Sequence, residues 1–127
     1  TAGEDLSAKQ YHFVKISSGA VVACTVISDP VLGVLQNDPV SGVAAEVLVV
    51  GRSKVVAGST GVTAGSFIGT STDARALAFD VSRVMSTGTN QATAIVGRVI
   101  RSVAVATGEM VEALIDTIIP RSARTSV

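Results

Sequence analysis

The chain carries one histidine, one cysteine, ten acidic and ten basic residues, and any chemistry would have to be built from these. His12 would have to serve as the base of any serine- or cysteine-nucleophile arrangement, because imidazole is the side chain that takes a proton near neutral pH. It lies between Tyr11 and Phe13 in an apolar run, and no Gly-x-Ser-x-Gly turn is present, so it reads as structural or interfacial. Cys24 sits in the apolar run Ala20–Ile27 with no second cysteine to pair with, and reads as a small buried hydrophobe. Zinc needs several His or Cys ligands, and the chain offers one of each. Lys54 falls inside the alternating stretch Arg52–Ala57 rather than at a hairpin tip, which argues against a carrier lysine. Glu4 with Asp5, and Glu109 with Glu112, are close in sequence, but a glycosidase-like pair needs a sugar platform, and three Phe with one Tyr and no Trp is thin. Gly61-Val62-Thr63-Ala64-Gly65 lacks the Lys-Ser/Thr that reaches phosphate and metal in a phosphate loop. The expectation is a binding domain rather than an enzyme, with no catalytic residue, cofactor or metal.

Composition narrows the partners. Acidic and basic residues balance, which does not favour nucleic-acid binding through bulk charge. No segment reaches the ~20 apolar residues of a membrane helix, and no polybasic patch is present. No small-molecule substrate is expected. The apolar fraction is 47% and consists mainly of Val, Ala, Ile and Leu, which suits packed sheets better than long helices. So much small apolar surface also points to self-association, and an obligate oligomer is the expectation.

The elements that must position these residues are short strands. Residues 1–10 are polar and read as an extended N-terminal arm rather than core, removable without unfolding the rest. Residues 11–120 form the β domain and 121–127 a polar tail. Alternation over Tyr11–Ile16 predicts a strand with Tyr11, Phe13 and Lys15 on one face and His12, Val14 and Ile16 on the other. Further strands are expected at Ala20–Ile27, Val31–Leu35, Glu46–Val50 (ended by Gly51), Arg52–Ala57, Val62–Gly69, Leu77–Phe79 and Ala94–Val105 with a bulge at Gly97, and Met110–Ile119 is the last apolar segment, stopped by Pro120. At most one short helix is expected, near 80–86 or within 110–118, with a loop at Ser86–Gln91. Strands at this spacing joined by tight turns predict an all-β, compact single-domain barrel or sandwich.

The order of several segments resembles a known family. Asp5-Leu6-Ser7-Ala8-Lys9-Gln10-Tyr11-His12-Phe13-Val14-Lys15 is followed by Gly33-Val34-Leu35-Gln36-Asn37-Asp38-Pro39 and Gly42. Then come Gly51-Arg52-Ser53-Lys54-Val55, Val62-Thr63-Ala64-Gly65, Val96-Gly97-Arg98 and Gly108-Glu109-Met110-Val111-Glu112. Over roughly residues 5–115 this pattern resembles the small capsid decoration, or cement, proteins of tailed phages and prophages. Residues 80–93 and those after Pro120 lie outside the pattern. The resemblance implies a structural virion protein, assembled in the host cytoplasm. It would sit on the outer surface of an icosahedral head, bound to a major capsid protein of HK97-like fold where capsomers meet, commonly as a trimer at local threefold positions. Glu4, Asp5, Leu6, Lys9, Gln10, Tyr11 and His12 are the expected capsid contacts. A tail, fibre or carbohydrate-binding β module is the alternative, and a small enzyme or carrier domain the remotest one.

Overall fold

The computed structural model describes residues 1–58, 62–79, 95–102 and 108–117. Among the described residues, nine strands run in chain order: β1 Phe13–Ser17, β2 Ala20–Ala23, β3 Gly33–Leu35, β4 Val47–Leu48, β5 Val50–Val56, β6 Phe67–Thr70, β7 Ala76–Phe79, β8 Gly97–Ser102 and β9 Met110–Asp116. They form two antiparallel sheets, ordered β2-β1-β3-β4 and β5-β9-β8-β6-β7. The all-β expectation holds. The five-stranded sheet curls until its edge strands meet at one end, where Ala57 bridges Ala76 and Gly58 N donates to Ala76 O at 2.8 Å. The result is a partial barrel with a second sheet packed against it.

Alternation decides which side chains fill the interior. On β9, Val111, Ala113 and Ile115 are buried, while Met110 and Leu114 are exposed. That period of two makes the segment a strand and overturns the expectation of a helix within 110–118; the other expected helix, near 80–86, lies outside the described residues. Phe13, Val14, Leu35, Val55, Ile68 and Val99 join these side chains in one core. Removing such a side chain from water is worth about 1.5–3 kcal/mol each.

The chain changes sheets at one corner. β4 pairs with β3 in the first sheet, and β5 pairs with β9 in the second. Gly51 follows that corner with φ of 136°, a backbone state that side chains disfavour. Gly51 was expected to end a strand and instead lies inside β5. Thr117 seals the corner: its Oγ1 donates to Leu32 O at 2.6 Å, and its N donates to Val49 O at 3.1 Å.

Three further boundaries differ from the sequence reading. β1 begins at Phe13 because Tyr11 takes φ of 64°; Phe13 and Val14 are then both fully buried, so the two-faced pattern fails there. β2 stops at Ala23 because Asp29 Oδ2 accepts from the backbone N of Thr25 and of Val26, turning the chain. The β8–β9 register shift lies between Val99 and Arg101, not at Gly97. Gly97 serves close approach instead: a Cβ there would stand 2.4 Å from Leu114 O.

The first ten residues run through bends and turns rather than an extended arm, and they are not separate from the core. Ala2 bridges Val21, Gly3 N donates to Val21 O and Val21 N to Thr1 O, so this segment covers the free edge of β2. Ala2 and Leu6 are buried. The expectation of an arm removable without unfolding is corrected: an exposed sheet edge and an empty Leu6 site would both result. Leu6→Ala is expected to lower unfolding free energy by about 2–5 kcal/mol, and Gly97→Ala by about 1–3 kcal/mol. Urea denaturation of both variants against wild type checks this.

Candidate functional site

The N-terminal set proposed from sequence forms a scaffold more than a surface. Glu4 Oε2 accepts from Ala23 N at 3.0 Å, and Asp5 Oδ1 from Ser7 N at 3.0 Å. The Ser7 hydrogen bonds hold the Asp5 carboxyl below its usual pKa. Gln10 Nε2 donates to Gln36 O at 2.9 Å. Lys9 O accepts from His12 N at 3.0 Å, and Tyr11 O from Val56 N at 3.1 Å. Glu4, Asp5 and Gln10 are exposed, Lys9 and Tyr11 half-buried. Leu6 and His12 are interior, so a partner can reach them only if the segment lifts away.

The residues that could do chemistry are not brought together. His12 is 6% exposed, and its Nδ1 lies 3.0 Å from Gln10 O. A carbonyl only accepts, so Nδ1 carries the proton. Burial lowers the His12 pKa below 6.5, and the charges of Lys9 and Arg75 push the same way against the Gln10 hydrogen bond. The ring is therefore neutral at pH 7. Burial also pushes the Cys24 thiol up to about 12, helped by the Asp29 charge, which makes it a poor nucleophile. Burial raises the Asp29 carboxyl, but Lys15 at 2.8 Å and the Thr25 and Val26 N–H groups outweigh that, and its pKa is lowered. Among the described residues, no three or more His, Cys, Asp or Glu side chains gather where a metal ion could bind. Lys54 sits on β5 over the Tyr11 ring, 5.9 Å from its centroid.

The arrangement that does stand out was not singled out in the sequence. The outward side of the five-stranded sheet carries two cross-strand rows. Lys54, Glu112 and Arg101 pair across β5, β9 and β8; next to them run Arg52, Leu114, Arg98 and Phe67 across β5, β9, β8 and β6. Arg52 is ion-paired with Glu112. Arg98 stacks on Phe67 at 5.1 Å, and its Nε donates to Gly65 O at 3.3 Å. Val50, Met110 and Leu114 are about half exposed, at 51%, 46% and 48%. A groove of ≈ 230 Å³ lies between Phe67, Arg98, Leu114 and Asp116. The signal was present as two Arg or Lys on each of two strands, Arg52 and Lys54 on β5 and Arg98 and Arg101 on β8, but only the sheet order assembles them.

The His12 shift predicts acid sensitivity. The unfolded chain takes a proton near 6.5 that the folded chain resists, so stability should fall as pH drops from about 7 to 5. Asp29 acts lower: the stability it contributes is present above 3.8 and is lost as pH falls through its depressed folded value. Thermal midpoints measured across this range should decline, and His12→Gln should flatten the decline between about pH 7 and 5.

No known family's sequence signature matches the chain, and no curated protein sequence matches it. A solved structure does: the N base of head fiber gp8.5 in bacteriophage phi29, with a TM-score of 0.59 and 15% identity, covering 97% of this chain and 93% of that one. At that identity the likeness is one of fold, and it extends over nearly the whole of both chains.

Proposed function

We propose that this chain is a structural virion protein that binds the outer surface of an icosahedral phage head and stabilises the expanded shell. The likeness in fold to the base of a phage head fiber, across nearly all of both chains, is the observation that carries the reading. The finer reading, a decoration protein rather than another head-associated one, comes from the resemblance of the ordered segments from Asp5 to Glu112, which no family's sequence signature matches. A ligand that binds only the expanded lattice stabilises that lattice by mass action. Assembly as a homotrimer where capsomers of an HK97-like major capsid protein meet would add avidity, because one contact raises the effective concentration of the next. Glu4, Asp5 and Gln10 are the exposed members of the N-terminal set, and they would meet a partner with their side chains already bonded to Ala23 N, Ser7 N and Gln36 O.

A second reading is a fibre-base module on the same surface, favoured by the nature of the similar structure. Shell stabilisation separates the two, since a fibre base need only attach. The purified chain should co-sediment with mature heads that lack it, bind unexpanded heads weakly, and raise the temperature at which mature heads break open. Binding with no such rise would favour the fibre base, and no binding to heads would remove both.

A further inference from the structure

The outward side of β5, β9 and β8 is exposed, and its charge is out of step with the rest of the molecule. The whole chain has equal numbers of acidic and basic residues. This face carries Arg52, Lys54, Arg98 and Arg101 against Glu112 and Asp116. The cations flank an apolar middle at Leu114, with Met110 and Val50 at either end of the same sheet side. We infer that this face is the docking surface, and that its partner is an acidic protein surface with an apolar centre. The inference rests on the head-binding reading and names the contact that reading requires.

Three features support that partner. A positive excess at the rim is satisfied by carboxylates opposite, and such complementarity steers association and fixes register. Arg98 is already held by Phe67 and by Gly65 O, so less side-chain freedom is lost when it is engaged. The ≈ 230 Å³ groove beside Leu114 is smaller than the roughly 300–1,000 Å³ of small-molecule sites, and suits an inserted apolar side chain. A second copy meeting this face symmetrically would set its positive excess against itself. A nucleic acid would meet Glu112 and Asp116 within the same patch, in a chain of no net charge.

The test is binding to mature heads lacking this protein, with wild type, with the double variant Arg98→Gln, Arg101→Gln, and with Ser17→Glu, Ser41→Glu. The last pair makes the same change in net charge at exposed sites on the first sheet and its loops. The Arg double variant should bind about tenfold or more weakly, the control should match wild type, and wild-type binding should weaken as salt is raised. Should the Arg double variant melt below the assay temperature, Leu114→Gln takes its place with the same expected loss. Wild-type affinity in the variant would overturn the docking face while leaving head binding intact. Failure of wild type to bind heads would overturn the functional reading and this inference with it. A wild-type oligomer in sedimentation velocity that the Arg double variant dissolves would make the face a self-interface, which also overturns the inference.

Discussion

The backbone of Tyr11–Phe13 is bonded to both sheets at once, and the rest of the structure depends on that junction. Tyr11 N donates to Leu35 O at 2.7 Å, and Leu35 N donates back to His12 O at 2.9 Å. Val56 N donates to Tyr11 O at 3.1 Å from the second sheet, and Phe13 N reaches Ala74 O at 2.8 Å. Tyr11 and Ala74 both adopt positive φ, 64° and 67°, which costs a non-glycine residue of order 1 kcal/mol or more. The surrounding hydrogen bonds hold them there. With the junction made, Phe13 and Val14 are both driven into the core, the N-terminal segment is drawn along the edge of β2, and the two sheets close over one interior.

This junction explains what could and could not be read from the sequence. Short β-branched runs punctuated by glycine made the all-β class and most strands legible, because strand periodicity is local. β9 was legible as an apolar segment, but its strand character became decisive only with Val111, Ala113 and Ile115 set against the core. Leu6 looked like part of a polar arm because six of its nearest neighbours are polar or small; its N donates to Pro39 O, more than thirty residues away, and its side chain joins the core that both sheets share. The positive φ at Tyr11 has no sequence signature, since it is held by partners on two other strands, Leu35 of β3 and Val56 of β5.

The candidate surface was less legible still. His12, Cys24 and Lys54 drew attention as chemically able groups, and the fold uses the first two as interior residues and the third on a sheet face. Burial keeps His12 neutral and Cys24 protonated. The arginines at 52, 98 and 101 are separated by up to 49 positions in the chain and become neighbours only through the order β5-β9-β8. Cross-strand register therefore does what spacing in sequence could not: it turns a neutral chain into one with a locally basic, partly apolar face.

The most direct measurement is a reconstruction of the phage head at a resolution that resolves strands. The account predicts density of this fold on the outer surface, with the β5-β9-β8 face turned toward an acidic patch of the shell and Leu114 out of solvent. A head with no such density, or one in which that face points to solvent while another side of the domain touches the shell, would contradict it.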